Sequence, residues 1–224
     1  MVSNTLLLIG CAPVSTPPYN VPLQTHASPN LPPPASMSEE LHYTVTLYPE
    51  PVLRKEAAPV ETFDDDLAGI VEAMYRRMYE SKGVGLAAPQ VGLAQRILVI
   101  NPSGEVDDKA EELALVNPTI VERFGEEMVY EEGCLSFPGI YAEVKRPDKC
   151  RVEAQNVHGE KLELEFEGFT SRVIQHEYDH LQGVLLVDRM SATDKLKHRT
   201  ALAELVGNYK ASKATAPKRS PFGR

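Results

Sequence analysis

The residues with the clearest chemical meaning are two histidines and a glutamate in the segment His176-Glu177-Tyr178-Asp179-His180. Residues four apart share one face of a helix, so both imidazoles can reach a single metal ion. Glu177 then lies beside the open position of the metal, where it can take a proton from an attacking water. The spacing predicts a metal-dependent hydrolase. The alternative is a chance match on an amphipathic helix that carries ordinary surface histidines.

A catalytic metal of this kind needs a third protein ligand, and the sequence offers two candidates. The metzincin pattern requires a third histidine six residues after the second, and it fails because that position is Leu186. Glu204 is available on a later helical stretch, as in other HExxH proteases. Upstream, Cys134 follows Gly133, whose missing side chain allows a tight backbone approach. Because a lone cysteine is more often a small buried residue, both candidates stay open at this point.

A glycine-rich segment further upstream, residues 83–90, reads Gly-Val-Gly-Leu-Ala-Ala-Pro-Gln. Its two spaced glycines let the backbone run close to a ligand. It lacks the lysine of a phosphate-binding loop and does not have the dinucleotide-binding spacing. The polar side chain that ends it, Gln90, is a carboxamide donor suited to a negatively charged tetrahedral intermediate.

Together these three segments closely resemble the peptide deformylase family in its bacterial-type form. The family motifs GxGLAAxQ, EGCLS and QHExDHLxG match residues 83–90, 132–136 and 175–183 at every fixed position. The motifs follow one another in the family's order, and the similarity runs from about Tyr43 to Tyr209. The resemblance implies hydrolysis of the N-formyl group from the N-terminal formyl-methionine of newly synthesised polypeptides, with release of formate.

The resemblance also implies a role for each matched residue. The metal would be bound by three side chains, those of Cys134, His176 and His180. Glu177 would be the general base, and it would return the proton to the departing amine. Gln90 and the backbone N–H of Leu135 would stabilise the oxyanion, and Gly85 would hydrogen-bond the substrate main chain.

Two other classes of function are also considered. One is a zinc peptidase with Glu204 as third ligand, which would keep its metal in Cys134→Ser and cut internal peptide bonds. The other is a non-catalytic metal-binding or peptide-binding module. Neither explains why the glycine-rich and EGCLS segments occur together.

The residues that could determine substrate selectivity lie on the helix face of the first histidine, toward the N-terminus of the helix. The side chains one and two turns before His176 on that face are Phe169, Arg172 and Val173. Phe169 and Val173, with Val84, are candidates for an apolar pocket that takes a methionine side chain; plain core packing is the alternative. Glu132 with Arg146 is a candidate pair to support the metal site, and a surface ion pair or no pair at all are the alternatives.

The resemblance implies Fe²⁺ as the metal, one per chain, although two histidines and a thiolate also suit Zn²⁺ or another divalent ion. Nascent formyl-Met polypeptides are the expected partners, with the ribosome as a further candidate and a monomer as the expected state. The net charge of −9 argues against DNA binding, and no apolar run is long enough to span a membrane. Three cysteines, with Cys134 as an oxidisable ligand, favour a reducing cytoplasm.

The periodicity predicts an α+β fold, with mixed or antiparallel sheets wrapped around a central metal-binding HExxH helix and a C-terminal helix. Helices are expected at 64–79, 170–181 and 192–209, with Gly183 as a stop signal. Strands are expected at 96–100, 114–121 and 141–145, and as a hairpin of 152–157 with 161–166.

The chain divides into three parts. Residues 1–38 form a proline-rich extension that is expected to be disordered. Within it, Met37 is a candidate translation start, and Cys11 ends a weak lipoprotein-like pattern that lacks a basic segment. Residues 39–210 are the predicted catalytic domain, and 211–224 are predicted to be a disordered basic tail.

Overall fold

The structure is a computed structural model that describes residues 41–215. Its helices and strands follow in the order α1 (Asp65–Glu80), β1 (Gly85–Ala87), β2 (Ile97–Ile100), β3 (Leu113–Gly133), β4 (Tyr141–Gln155), β5 (Lys161–Glu167), α2 (Gly168–Leu181), α3 (Leu186–Arg189), α4 (Ala192–Lys197) and α5 (Arg199–Thr215). Short 3₁₀ helices occur at Pro51–Arg54, Ala88–Val91 and Lys109–Glu111. The predicted extension, residues 1–38, lies outside the described residues.

The five strands form one sheet in the order β1-β2-β3-β4-β5, and every neighbouring pair is antiparallel. An antiparallel sheet with several helices, including a C-terminal helix, is the fold that the sequence predicted. The finer expectation, that the sheet wraps around a metal-binding helix, stays a prediction.

Strand β2 is buried on both faces, and this explains its unbroken apolar sequence. Leu98 and Ile100 belong to the hydrophobic cluster that includes Val173 and Ile174 of α2. Ile97 and Val99 point the other way, into the cluster that contains the buried face of α1. Helices α1 and α2 therefore cover opposite faces of the sheet at β2.

Helices α1 and α2 start and end close to the residues that the sequence predicted. Asp64 caps α1 by accepting a hydrogen bond from the backbone N–H of Leu67 at 3.1 Å. Helix α2 follows β5 directly and contains the predicted residues 170–181. Gly183 has φ +69°, a left-handed conformation that ends the helix as expected. The predicted hairpin is also confirmed, since Gln155 of β4 lies opposite Lys161 of β5.

Strands β3 and β4 are much longer than predicted. The strand expected at 114–121 continues to Gly133, and the strands expected at 141–145 and 152–157 are one strand, Tyr141–Gln155. Exposed charged side chains and Gly125 break the apolar alternation of β3 and hide its second half. Pro147 interrupts β4 but lies opposite Glu127, beside a register irregularity that accommodates it.

The C-terminal region also differs from the prediction. The single helix expected at 192–209 is two helices, α4 and α5, with the break at His198. The tail predicted to be disordered from 211 begins as helix, because α5 continues to Thr215 and that stretch contains no glycine or proline. Lys213 of this last turn forms an ion pair with Glu50 at 2.7 Å.

The loop between β3 and β4 carries Cys134. Gly133 lies opposite Tyr141 in the β3–β4 hairpin, so Cys134 opens the connecting loop. A third hydrophobic cluster of buried residues surrounds it, including Phe137, Ile140 and Leu185. Within residues 41–215, no helix is long and apolar enough to cross a membrane.

Candidate metal centre and active site

Three predicted ligands come together in the interior. One ligand atom from each of Cys134, His176 and His180 lies within 4.8 Å of the others, and all three residues are buried. The Sγ atom of Cys134 is 3.3 Å from Nε2 of His180. Burial lowers the pKa of His180 well below its ordinary value, and the charges of His176 and Arg146 add to this effect. A neutral imidazole is the form that binds a metal.

This donor set fits a catalytic divalent metal. Two imidazoles and one thiolate suit a transition metal, and three protein ligands leave a position open for reaction. The competing third ligand is not brought in, because Glu204 is exposed on α5 and outside the cluster. The structure therefore favours Cys134 over Glu204.

Glu132 fixes the orientation of His176. Its Oε2 is 3.0 Å from Nδ1 of His176, so a proton on Nδ1 is donated to the carboxylate and leaves Nε2 free to bind a metal. Arg146 donates to both carboxylate oxygens, from Nε at 2.7 Å and Nη2 at 3.0 Å. Of the alternatives left open by the sequence, the pair of Glu132 and Arg146 is therefore the one present, and it is buried.

Glu132 stays ionised in this setting. Burial by itself would raise the pKa of Glu132, but the hydrogen bond from His176 and the charge of Arg146 hold it well below its ordinary value. The side chain is 0% exposed, so its charge depends on these partners.

Sequence reasoning assigned no role to Arg172, and it missed Asp179 and Arg189. Arg172 donates to Oε1 of Glu132 at 2.6 Å. Asp179 accepts from Nη1 of Arg146 at 2.8 Å and from Nη2 of Arg189 at 2.6 Å. The available signal was helical spacing, because Arg172 and Asp179 lie one turn before and after His176 on α2. Their partners on other elements carry no signal in sequence spacing.

Glu177 lies in an environment unlike that of Glu132. It is 1% exposed, and its Oε2 has no hydrogen-bond partner among the described residues. Burial raises the pKa of Glu177 to about 7. A carboxylate with this pKa can accept and return a proton near neutral pH, which is what the predicted general base requires.

Gly85 of β1 lies directly against this carboxylate. A Cβ atom built on Gly85 would be 2.6 Å from Oε1 of Glu177 and 2.9 Å from Cγ1 of Val173. The absence of a side chain at Gly85 is therefore what lets the backbone of β1 approach α2.

Gln90 is held beside the cysteine. Its Oε1 accepts the backbone N–H of Ala87 at 2.8 Å, and this places Nε2 3.6 Å from Sγ of Cys134. The amide donor thus faces the metal cluster, and Gln90 is 1% exposed.

Leu135 brings the two loops together. Its Cδ1 would be 3.0 Å from a Cβ atom on Gly83, so the glycine-rich segment packs closely on the residue after Cys134. The two residues predicted to supply oxyanion donors, Gln90 and Leu135, therefore lie in two segments that pack against each other beside Cys134.

The predicted pocket residues belong to one cluster. Val84 and Val173 are buried in it, and Phe169 is partly buried against it. This placement is compatible with both core packing and a pocket wall, and the pocket stays a prediction.

Comparison with known proteins gives concordant results. The sequence model of the polypeptide deformylase family matches residues 42–196. Peptide deformylase 1B, chloroplastic, from Oryza sativa subsp. japonica is 44% identical over 178 residues, which cover 80% of this chain and 66% of the rice protein. Peptide deformylase from Thermotoga sp. (strain RQ2) is 46% identical over 169 residues, 75% of this chain and 99% of its own length.

A solved structure extends the likeness to three dimensions. Peptide deformylase from Plasmodium falciparum superposes with a TM-score of 0.73 at 43% sequence identity, covering 75% of this chain and 98% of that one. The matched region contains the glycine-rich segment, Cys134 and the HExxH helix. The chain therefore belongs to the polypeptide deformylase family.

Proposed function

We propose that this chain hydrolyses the N-formyl group from the N-terminal formyl-methionine of nascent polypeptides and releases formate. Removal of the N-formyl group from nascent peptides is the reaction of its family, which consists of hydrolases. The observation that carries the proposal is the buried cluster of Cys134, His176 and His180, with Glu177 and Gln90 beside it.

The residues proposed to hold the metal are Cys134, His176 and His180. When bound, the metal supplies a Lewis acid that polarises a carbonyl and lowers the pKa of water. We assign Fe²⁺ as the resident ion, following the resemblance to the family, with Zn²⁺ or another divalent ion able to replace it. Glu132 supports the site by holding the Nδ1 proton of His176.

Glu177 moves the proton. It takes a proton from the attacking water, whose oxygen forms a bond to the formyl carbon. When the C–N bond breaks, Glu177 gives that proton to the departing nitrogen, leaving formate and a free amino terminus. The pKa of Glu177, raised by burial to about 7, suits both transfers near neutral pH.

Gln90 and Leu135 stabilise the charge that develops on the formyl oxygen. The Nε2 amide of Gln90 already points toward the cluster, because its other amide atom is occupied by Ala87. A backbone N–H at Leu135 would supply a second donor. Preorganised donors of this kind contribute more than flexible ones, because they need no rearrangement during reaction.

The substrate backbone is proposed to lie along β1. Within residues 41–215 this strand is at the edge of the sheet and pairs with β2 alone, so its other side offers backbone groups to an extended peptide. Gly85 would hydrogen-bond the substrate main chain, and the methionine side chain would enter a pocket lined by Val84, Phe169 and Val173.

We also propose that the protein contacts the ribosome and that it is a monomer. The cytoplasmic location stays a prediction, since the rice relative is named as chloroplastic.

The test compares formyl-Met-Ala-Ser with acetyl-Met-Ala-Ser, which differs by one methyl group at the reacting carbon. We expect stoichiometric formate from the first and at least about 100-fold slower hydrolysis of the second. Cleavage of an internal peptide bond, with no formate released, would contradict the proposal and support a peptidase.

A further inference from the structure

Arg172 of α2 makes an unusual set of contacts for a residue without a catalytic assignment. Its Nη1 donates to Oε1 of Glu132 at 2.6 Å and to the carbonyl of Val144 at 3.1 Å. Its Nη2 donates to the carbonyl of Met128 at 2.7 Å. The residue is only 4% exposed. Two backbone carbonyls of the β3–β4 hairpin thus hold the guanidinium in place, in addition to its contact with the carboxylate of Glu132.

A ring contact completes the enclosure. The guanidinium carbon of Arg172 lies 4.9 Å from the centroid of the Tyr130 ring. Since Tyr130 is two residues before Glu132 on β3, the same strand supplies the carboxylate and the aromatic face. The position of Arg172 is therefore determined by several contacts at once.

The carboxylate of Glu132 divides its two oxygens between different partners. Oε1 accepts from Arg146 and Arg172, and Oε2 accepts from Arg146 and His176. Arg146 is shared, because its Nη1 donates to Asp179. Of the two arginines on Glu132, only Arg172 has no second carboxylate partner within residues 41–215.

We infer that Arg172 is a positioning residue for the metal ligand His176. Arg172 holds Oε1 of Glu132, which leaves Oε2 directed at Nδ1 of the imidazole and sets the direction of Nε2. Because Arg172 and His176 are one turn apart on α2, one helix carries both the ligand and the cation that fixes the ligand's acceptor. This inference rests on the proposed function, in which His176 binds the metal.

The competing explanation is that Arg172 only attaches α2 to the hairpin. Both explanations predict a less stable variant, so stability alone does not separate them. The two explanations differ in the metal affinity that they predict, because a purely structural contact would leave the affinity of the folded site for a metal ion unchanged.

The experiment measures Co²⁺ binding to the full chain after its metal has been removed, by competition with a chelator. We expect Arg172→Gln to raise the Co²⁺ dissociation constant about 10- to 100-fold, the usual effect of losing an outer partner of a metal ligand. The visible absorption bands of bound Co²⁺ should shift as well, because the direction of the imidazole changes. Arg172→Lys keeps the charge but not the fork of donors, so an intermediate dissociation constant is expected.

Two control variants separate local from general effects. Arg151→Gln removes an exposed arginine that contacts Phe124 and pairs with Glu165, so it matches the change of charge and ring contact far from Glu132. Val152→Ala lowers stability by opening a core position of β4. Both should bind Co²⁺ like the parent chain.

Unchanged Co²⁺ affinity and spectrum in folded Arg172→Gln would overturn the inference while leaving the proposed function intact. If Arg172→Gln does not fold, Arg172→Lys decides, and parent-like affinity in that variant overturns the inference. A parent chain that binds no Co²⁺ would overturn the proposed function as well.

Discussion

At the scale of single residues, two buried glutamates have different neighbours, and this difference suits them to different roles. Glu132 is surrounded by Arg146, Arg172 and His176, which keep it charged and fixed. Glu177 is buried without an ion pair in the described part of the chain, and burial raises its pKa to about 7. These surroundings suit Glu132 to a fixed anchor and Glu177 to the proton exchange proposed for it.

Substituting Glu177 should remove turnover and leave metal binding. In Glu177→Gln the shape is kept and the proton acceptor is lost, so we expect kcat to fall about 10²- to 10⁴-fold. Metal content, measured on the same sample, should stay at the parent level because Glu177 is not one of the clustered ligands. A Glu177→Gln chain with parent-like kcat would show that another group acts as base.

Gly85 makes a steric prediction. A methyl group in Gly85→Ala would meet Glu177 at 2.6 Å and Val173 at 2.9 Å, so one of these side chains must move. We expect a loss of kcat/KM of about 10²-fold, in line with small misplacement of a reacting group. Gly69→Ala, where nothing lies within 4 Å, is the matched control and should keep full activity. Equal activity in Gly85→Ala and Gly69→Ala would show that Gly85 does not contribute to the active site.

At the scale of elements, the sequence predicted the helices and strands that have strong apolar periodicity. It did not predict the strand residues that depend on pairing with a distant segment. Helices α1 and α2 and the β4–β5 hairpin were predicted because apolar spacing, caps and turn residues all agreed. The second half of β3 has exposed glutamates and is held as a strand by its pairing with β4. The break between α4 and α5 lacks a glycine or proline, so the sequence does not mark it.

The site was predictable for a related reason. Its proposed catalytic and ligand residues occur in three short continuous motifs, and the resemblance supplied their combination. Arg172 and Asp179 share a helix face with His176, but their partners lie on other elements, and such pairings leave no pattern along the chain. A single sequence therefore reveals the reacting groups more readily than the groups that hold them.

The end of α2 gives a stability prediction. Gly183 and Gly139 both have left-handed backbones, with φ +69° and +74°. A Cβ atom on Gly183 would lie 2.6 Å from the carbonyl oxygen of Arg54, whereas one on Gly139 would meet nothing within 4 Å. We expect Gly139→Ala to lower the free energy of unfolding by about 1 kcal/mol and Gly183→Ala by clearly more than about 2 kcal/mol.

Urea denaturation of the two variants measures this difference. Because both glycines have a left-handed backbone, the excess loss in Gly183→Ala reports the close contact between Gly183, two residues after α2, and the carbonyl of Arg54. Equal losses would mean that the chain relaxes at Gly183 without cost.

At the scale of the whole molecule, the proposed metal joins parts of the chain that are distant in sequence. Cys134 lies after β3, and both histidines lie on α2, so the proposed ligands link the β3–β4 hairpin to α2. A ligand that binds only the folded chain stabilises it by an amount set by its concentration relative to its dissociation constant.

Removing the metal should therefore destabilise the protein. With free Zn²⁺ at 100 times its dissociation constant, the free energy of unfolding should exceed that of the chelated chain by about 2.7 kcal/mol. Urea curves with and without metal measure this difference, and Cys134→Ala should abolish most of it. A parent chain with identical curves in both conditions would argue that no metal binds at this cluster.

The most direct test of the central claim is formate release and metal content measured together, on anaerobically purified parent chain and Cys134→Ala. We predict formate from formyl-Met-Ala-Ser with one metal per chain for the parent, and loss of both in Cys134→Ala, because Sγ belongs to the ligand cluster. Full metal content and formate release in Cys134→Ala would contradict the account, since the reaction would then not depend on this site.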